Sequence, residues 1–205
     1  MAGSPLQETA RTAVRRSERA SFDRALACSI LDEALVAHVG FVVDGQPFVI
    51  PMVHGRIDDT LYLHGAPGTR IVRTLAGPDG TGGAPVCVTV TLVDALVLAK
   101  SQMHHSANYR SVVILGTARR VRGEEAGRAL TAIVDHALPG RSAEARPPNA
   151  AELRRTAVLG LAIDEASVKV RTGGPVDDDA DLDLPVWSGI VPLTTVRGTP
   201  EEHSP

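Results

Sequence analysis

The stretch LVAHVGFVVDGQPFVIPMVHGRI, residues 35–57, decides the fold, because it has the pattern of two strands joined by a tight turn. Apolar residues run almost without interruption from Leu35 to Val43, which predicts a buried strand. Asp44-Gly45 is a pair that two-residue hairpin turns prefer, because their backbone needs a positive φ at both positions. A second strand is therefore expected from Gln46 to Ile57, antiparallel to the first.

Further strands and a few helices are predicted from periodicity and turn residues. Apolar and more polar residues alternate over 86–92, the period of a half-buried strand, and Asp94-Ala95 is expected to end it in a turn. The other predicted strands cover 61–64, 96–102, 110–121 and 158–170. The predicted helices cover 22–30, 67–75 and 124–138, and Ser21 is expected to cap the first of them. A further short helix is predicted where Asn149 and Glu152 have capping-box spacing, and a loop is expected over 77–83. Sequential antiparallel strands broken by one short helix favour a barrel.

The composition is that of a globular protein and excludes some partners. Apolar residues make up 43% and aromatic residues 3%, so the core must consist of Val, Leu, Ile and Ala. A net charge of -3 without a clustered basic face argues against nucleic acid and anionic membranes as partners. Cys28 and Cys87 lie in apolar segments without metal-ligand spacing, and no apolar stretch is long enough to span a bilayer. We expect a cytoplasmic protein.

We expect one domain over 21–172, an arm over 1–20 and an acidic tail over 173–205. The arm has no apolar periodicity, so it should become ordered only by lying on another element. The tail contains an apolar segment, 184–193, with the only tryptophan, Trp187, and in water it would be an exposed patch. It should dock on its own barrel or on a second subunit, where the indole could cover a flat ligand or act as an ordinary packing anchor.

The stretch SQMHHSANYRSVVILG, residues 101–116, is the first candidate site. Its polar residues directly precede a strand-like apolar run. Arg110 offers a charged fork there, and its neighbours offer neutral hydrogen-bond partners for a phosphate: Asn108, Tyr109 and Ser111. Alternatively, these residues only cap the loop backbone at the strand entrance.

A second candidate anion site is the loop GAPG, residues 65–68, followed by a predicted helix with Arg70 and Arg73 in its early turns. Free backbone N–H groups at such a helix start attract anions. The loop matches no phosphate-loop fingerprint.

Four segments together resemble a known family: VVDGQPFVIP, LYLHG followed by Arg70, HHSANYRSVVILG and VWSGIVPL. They occur in the same order and at similar spacing in the pyridoxamine 5′-phosphate oxidase-like superfamily, specifically its branch of nitroimidazole-resistance (Nim-type) flavoproteins. The resemblance covers residues 21 to 193. It implies a mainly β fold, a split β-barrel of six or seven largely antiparallel strands with peripheral helices. It also implies a homodimer that binds one FMN in each of two clefts between the subunits.

The resemblance implies roles around the flavin ring. The strand that would lie along the ring, largely through backbone groups, contains Pro51, Met52 and Val53. His64 and Gly65 occupy the position where this branch brings a histidine to the active site, which makes His64 the catalytic candidate. Trp187 would reach the flavin from the tail.

The phosphate or ribityl chain would be bound, by the same resemblance, by Arg70, Tyr109, Arg110 and Ser111, with Asn108 holding their turn. Arg70 stands where this branch also has lysine, a change that keeps the charge but alters the donor geometry.

Two departures bear on the function. Pyridoxamine phosphate oxidases proper end in an arginine-rich segment, whereas this chain ends in EEHSP, so that reaction is not expected. His54 stands where an aromatic residue would be expected, and some split-barrel relatives bind haem through a histidine. His54 and His64 flank a predicted turn over 57–61, so both could face one cleft. Either is a candidate haem ligand or proton donor, and a structural role is the alternative.

The other histidines do not predict a metal site. His104 and His105 are adjacent, so in an extended chain their side chains point to opposite faces and cannot share one metal ion. His38 lies in an apolar strand and is interpreted as a core histidine. His136 lies near a helix end, where it would interact with the helix dipole.

The function predicted first is an FMN-dependent oxidoreductase that reduces a small oxidised substrate such as a nitroaromatic or a quinone. The flavin would supply the electron chemistry, which agrees with the absence of GxSxG, HExxH and Walker motifs. The first alternative is a haem-binding split barrel with His54 or His64 as ligand. The second is a regulatory module that binds a cofactor without turnover.

Overall fold

The computed structural model describes residues 4–77 and 82–203, so most of the loop predicted over 77–83 lies outside the described residues. The strands are β1 (Ala20–Ser21), β2 (Val36–Val43), β3 (Gln46–Ile57), β4 (Thr60–Gly65), β5 (Pro85–Leu98), β6 (Ser106–Thr117), β7 (Arg119–Val121), β8 (Ala157–Ala162), β9 (Glu165–Arg171) and β10 (Gly189–Pro192). The helices are α1 (Arg24–Glu33), α2 (Arg70–Ala76), α3 (Gly123–Ala137), α4 (Arg141–Glu144) and α5 (Ala150–Arg155).

The described chain forms two compact units. The first contains residues 4–77, 82–92 and 111–170, and the second contains residues 93–110 and 171–203. The sheet has the strand order β1-β9-β6-β5-β2-β3-β4-β8-β7, with β10 paired to β5. Seven strands have six residues or more, and the pairing of β3 with β2 and β4 is antiparallel, which confirms the expected mainly β, antiparallel fold. No helix among the described residues is both long and apolar enough to cross a membrane.

The predicted hairpin is confirmed to the residue. Val43 pairs with Gln46 across the turn, and Asp44 and Gly45 adopt φ values of 52° and 78°. Only a residue that tolerates the left-handed region can occupy such positions at low cost, and Asp and Gly are two of the few. Phe41 and Phe48 face each other in this register with stacked rings 5.7 Å apart, so the turn also brings two of the three phenylalanines into one contact.

Two predicted strand boundaries are wrong. No turn interrupts the chain at Asp94, because β5 continues to Leu98 and the Asp94 side chain is paired with Arg110 at 2.8 Å within the second unit. A polar residue can therefore stay inside the strand. Conversely, the single strand expected over 158–170 is divided into β8 and β9, and the intervening Ile163 donates its backbone N–H to Asp59 O at 2.9 Å.

Helix caps were partly predicted. The capping box on α5 is confirmed, since Asn149 Oδ1 accepts from Glu152 N at 3.0 Å and Glu152 Oε2 accepts from Asn149 N at 2.8 Å. For α1 the predicted cap Ser21 is wrong. Asp23 is the cap, accepting from Leu26 N at 3.1 Å, and the helix begins two residues later than expected.

The core of the first unit consists of Val, Leu, Ile and Ala, as the composition predicts. The arm contributes to it, because Leu6 is buried and its N–H donates to Phe22 O at 3.0 Å. α3 approaches β3 closely at Gly55, where a Cβ atom would lie 2.7 Å from Ile133 N. A side chain at this position would push the helix away from the sheet, so Gly55 is required for the close packing.

Two histidines cap the C-terminal end of α1 through hydrogen bonds to carbonyl groups that have no partner within the helix. His54 is 0% exposed and its Nε2 donates to Leu31 O at 2.9 Å, while His136 Nε2 donates to Ala34 O at 2.8 Å. Their rings lie 4.4 Å apart, and burial lowers the pKa of His54 to about 4. His54 is thus a neutral core residue, and its burial argues against a haem ligand at this position. His136 forms its hydrogen bond at the end of α1, whereas it was expected to interact with the end of its own helix.

The buried His54 predicts an acid-sensitive fold. Between pH 6.5 and about 4 the unfolded chain binds a proton at this ring that the folded chain does not. The free energy of unfolding should therefore fall as the pH is lowered through this window, by up to ~1.4 kcal/mol per pH unit. His54→Gln, whose amide can keep the bond to Leu31, should show a shallower slope in urea unfolding at several pH values. His203→Gln in the exposed tail is the control, and equal slopes in both variants would contradict the assignment.

Candidate functional site

Arg70, at the start of α2, is the sequence-predicted arginine with the clearest access to a ligand. It is exposed, and its guanidinium carbon lies 4.3 Å from the centre of the Phe48 ring. It lines a cavity of about 510 Å³ together with four other residues, Val43, Gly68, Arg73 and Thr74. In the described part of the chain no carboxylate pairs with Arg70, so its charge is available to an anion.

The outward face of the β2–β3 hairpin carries almost no charge. Along β3, the exposed residues Val49, Pro51 and Val53 alternate with Phe48, Ile50 and Met52, which pack against the core. Pro51 and Val53 therefore face outward, whereas the Met52 side chain faces inward. Across the strand pair the same face continues through Val36, His38 and Val42.

His38 is not the core histidine that the sequence predicted. It is exposed on the outward face, between Pro51 of β3 and Thr89 of β5. The apolar residues around it in the sequence belong to the opposite face of β2, because side chains alternate along a strand.

His64 and Gly65 lie at the end of β4. His64 is exposed and lines a cavity of about 520 Å³, whose apolar wall comes from α3 and a proline pair: Leu130, Ile133, Val134, Pro147 and Pro148. Arg146 at the rim is hydrogen-bonded to Glu152 at 2.6 Å and lowers the pKa of that carboxyl to about 2. A flat apolar group would find an apolar wall and a histidine here, whereas Arg146 is already paired with Glu152, which also lines the cavity.

His54 and His64 do not share this cavity. His54 pairs with Leu63, so the neighbouring His64 must point to the opposite face of the sheet. The expectation that both histidines face one cleft is therefore wrong. Among the described residues no group of three or more His, Cys, Asp or Glu side chains could hold a metal ion.

The predicted phosphate residues on β6 are engaged in other bonds. In the second unit the Arg110 guanidinium binds Asp94 in a forked arrangement with distances of 2.8–3.2 Å. Ser111, in the first unit, donates from Oγ to Lys169 O at 3.4 Å. Tyr109 precedes Arg110 on β6 and is partly buried. Their roles in phosphate binding stay predictions.

Asn108 holds together a buried corner of the second unit. Its Oδ1 accepts from Arg171 at 2.5 Å and its Nδ2 donates to Gly173 O at 3.2 Å. Arg171 is only 8% exposed and also donates to Gly173 O and Gly174 O. Asn108 therefore holds the turn after β9, and its role in holding the turn of the phosphate-binding residues stays a prediction.

The tail segment around Trp187 docks on its own chain. Residues 189–192 form β10 and pair with residues 95–98 of β5, all within the second unit. The indole of Trp187 remains 62% exposed. Docking of the segment is thus as expected, while a contact of the indole with a ligand stays a prediction.

Sequence reasoning included Arg73 in the second candidate anion site but passed over Arg120 and Arg171. Arg73 and Arg120 line a further cavity beside α2, and Arg171 is the buried cation next to Asn108. A signal for the first was present, because residues 60–77 contain no aspartate or glutamate and an arginine there has no acidic neighbour in sequence. Burial of Arg171 and Arg120 depends on contacts distant in sequence, which spacing does not reveal.

Comparison with known proteins gives the fold family. The sequence profile of the pyridoxamine 5′-phosphate oxidase family matches residues 23–170. The structure is similar to that of the flavocytochrome Anf3 from Azotobacter vinelandii, with 37% identity, 97% of this chain and 91% of that chain covered, and a TM-score of 0.86. It is also similar to an FAD and haem binding protein from Mycobacterium smegmatis, with 37% identity, coverage of 90% and 89%, and a TM-score of 0.84.

A third similar structure is a 5-nitroimidazole antibiotic resistance protein from Bacteroides thetaiotaomicron, with 25% identity, coverage of 74% and 86%, and a TM-score of 0.59. No curated protein matches the chain. The profile match spans well over half of the sequence and contains β2 to β8, including the hairpin and the α2 arginines. The chain therefore belongs to the pyridoxamine 5′-phosphate oxidase family, with the split-barrel fold that the sequence predicts.

Proposed function

We propose that this protein is a flavin-dependent oxidoreductase that acts as a homodimer and reduces a small oxidised substrate such as a nitroaromatic or a quinone. Two observations support it: Arg70, which has no carboxylate partner among the described residues, lies over Phe48 and lines a cavity, and the outward face of the hairpin is uncharged. A flavin mononucleotide unit needs both features, a cation for its phosphate and an apolar surface for its ring.

The phosphate is proposed to bind at α2. A dianionic phosphate gains charge-assisted hydrogen bonds from the planar guanidinium fork of Arg70, and Thr74 in the same cavity supplies a hydroxyl. Gly68, at the opposite side, leaves room for a close approach of the backbone. We place the phosphate at Arg70 in preference to Arg110, because Asp94 already binds the Arg110 guanidinium.

The ring is proposed to lie along the outward face of β3, at Pro51 and Val53. When bound, the flavin supplies the electron-transfer chemistry. The chain's own contribution is to bind and orient it: apolar side chains exclude water from one ring face, and the β3 backbone lies beside the ring edge. His38 lies on the same face and pairs with Pro51, so it is the titratable side chain nearest to the proposed ring site in this register.

Two similar proteins and one cavity support haem as a second candidate ligand. The flavocytochrome and the FAD and haem binding protein share 37% identity with this chain. His64 lines a cavity of about 520 Å³ with an apolar wall, which suits a nitrogen ligand for the haem iron and an apolar surface for the porphyrin ring. This cavity and the Arg70 cavity share no lining residue, so both ligands can be considered together.

The homodimer is proposed because the outward face would otherwise remain in water. Val49 is 65% exposed, and Val36, Val42 and Val53 on the same face are also exposed. A contiguous apolar sheet face of this kind marks an interface, and a second copy would cover it together with the flavin.

The flavin proposal is tested by the absorbance spectrum of the purified protein and by fluorescence titration of apoprotein with FMN. Arg70→Gln is expected to weaken FMN binding at least ~10-fold, because a hydrogen bond to a charged group contributes about 1.5–3 kcal/mol. Arg154→Gln on exposed α5 removes the same charge and should leave affinity unchanged. Tight FMN binding in Arg70→Gln would contradict the phosphate assignment. Reoxidation of the reduced protein by a nitroaromatic under anaerobic conditions tests turnover.

The haem candidate predicts a saturable Soret band when haem is titrated into the protein. His64→Leu should abolish or shift this band because the axial nitrogen is lost, while FMN affinity stays unchanged. His105→Leu, an exposed histidine of the second unit, is the control. A Soret band that is identical in wild type and His64→Leu would remove His64 as the ligand.

The interface predicts that a charge on the hairpin face separates the subunits. Val49→Asp should raise the dimer dissociation constant at least ~10-fold, because an unpaired carboxylate would be buried. Leu153→Asp, on exposed α5, provides the matched control. Sedimentation equilibrium measures both, and a Val49→Asp dimer as stable as wild type would place the interface elsewhere.

A further inference from the structure

The outward face of the paired strands β2 and β3 contains a single polar side chain, that of His38. The residues of this face lie in four opposite pairs: Val36 with Val53, His38 with Pro51, Gly40 with Val49, and Val42 with Pro47. Apart from His38, they are valine, proline or glycine. A polar group on a face that a ligand or a second subunit covers is costly unless it has a partner there. The position of His38 therefore points to a partner outside the described chain.

Among the described residues, none forms a hydrogen bond or an ion pair with the His38 ring. The structural histidines His54 and His136 differ, since both hydrogen-bond to carbonyl oxygens at the end of α1. His38 is exposed, so its ring N–H is available to a ligand.

The neighbouring strand β5 provides no stronger acid on this face. Thr89 lies opposite His38, but its hydroxyl already donates its hydrogen to Val112 O at 3.0 Å. Cys87, opposite Gly40, has a free thiol, and burial raises the pKa of that thiol. A thiol is a weaker acid than a histidinium even before this change.

The helix α2 packs against the opposite face of the hairpin. Arg70 covers the ring of Phe48, which packs against the core, and Arg73 lines the same cavity as Arg70. These two guanidinium groups thus lie on the core side of the strands. Of the side chains of α2, of β2 and β3, and of residues 87–89, His38 is therefore the proton donor best placed for a ligand on the outward face.

His38 also lies next to the proposed ring site. It is paired with Pro51, and the Cα atoms of opposite residues in an antiparallel pair are about 5 Å apart. The two side chains project from the same face of the sheet. A substrate that stacks on a ring at Pro51 and Val53 is therefore within reach of the imidazole.

From this placement we infer that His38 is the proton donor in the reduction of a quinone at the proposed flavin site. The inference rests on the proposed function and assigns a catalytic residue to it. Reduction of a quinone to a hydroquinone takes up two electrons and two protons. A hydride ion transferred from the reduced flavin delivers both electrons and one proton, and the flavin is thereby oxidised. The second proton comes from His38: an N–H bond of the imidazolium breaks, an O–H bond forms on the quinone, and the neutral ring regains a proton from water.

The inferred role distinguishes two kinds of electron acceptor. A quinone needs protons together with its electrons, whereas ferricyanide takes up one electron and no proton. Loss of the proton donor should therefore slow reduction of the quinone and leave reduction of ferricyanide unchanged. A merely structural role of His38 would affect both reactions alike.

The test follows the anaerobic reoxidation of the reduced, FMN-loaded protein by a quinone in a stopped-flow spectrometer. His38→Gln should slow this reaction at least ~10-fold at about pH 6, because general acid catalysis typically contributes a factor of about 10²–10⁴. The wild-type rate should fall as the pH rises from about 5 to about 8, the range in which histidine side chains usually lose their proton, and this dependence should disappear in His38→Gln. Reoxidation by ferricyanide should be equal in both. His203→Gln, in the exposed tail, should match the wild type in every assay.

Two further measurements separate proton donation from other roles. The NMR signal of the His38 ring, identified by its absence in His38→Gln, should shift when the apoprotein is titrated with FMN, whereas the His203 signal should not. His38→Lys should move the fall in the quinone rate to higher pH, because a lysine usually keeps its proton to higher pH than a histidine does.

The outcomes distinguish the inference from the proposed function. Equal quinone rates in wild type and His38→Gln, equal slowing with quinone and ferricyanide, or a His38 signal that FMN does not shift would each overturn the inference while flavin binding stands. Dissociation of the His38→Gln dimer in sedimentation equilibrium would assign His38 to the subunit interface and also overturn it. Absence of FMN binding to the wild type would instead refute the proposed function.

Discussion

The Asp44-Gly45 turn is the constraint on which the rest of the structure depends, because it fixes the register of β2 against β3. Side chains alternate along both strands, so a slip by one residue would exchange their two faces. In the observed register Phe41 and Phe48 lie together on the core side, while Val49 and Pro51 point outward. The same two strands therefore supply a layer of the core and an uncharged surface. The turn therefore determines both the fold of the hairpin and the surface on which the ring site is proposed.

Among the described residues, the arginines of α2 lack the acidic partners that several other arginines have. The chain contains two lysines, so its positive charge is almost entirely arginine, and several arginines are bound by acids that are distant in sequence. Arg56, for example, forms a salt bridge with Asp32, and Arg24 does so with Asp164. Residues 60–77 contain no acid, and the sheet brings none to the described α2 arginines. Among the described residues no carboxylate neutralises their charge, which is the condition that the proposed phosphate site requires.

Local patterns predicted the elements that local interactions determine. The bounds of β3 and the capping box of α5 depend on neighbouring residues, and both were predicted correctly. The strand break expected at Asp94 failed because its partner Arg110 lies sixteen residues further along the chain. The same limit applies to the candidate site. Arg70 was found by resemblance, whereas the exposure of His38 and the burial of His54 depend on strand pairing and on helices packed from elsewhere, which no local pattern contains.

Two arginines show that the extent of burial alone does not identify a structural cation. Arg171 is 8% exposed, yet Asn108 and the carbonyls of Gly173 and Gly174 accept its hydrogen bonds, so the chain itself satisfies much of the guanidinium. Arg120 is less buried as a residue, but its buried Nε has no acceptor among the described residues. The residue that is more buried is therefore the one that is better satisfied, because a buried cation is stable only where the chain supplies acceptors for its donors.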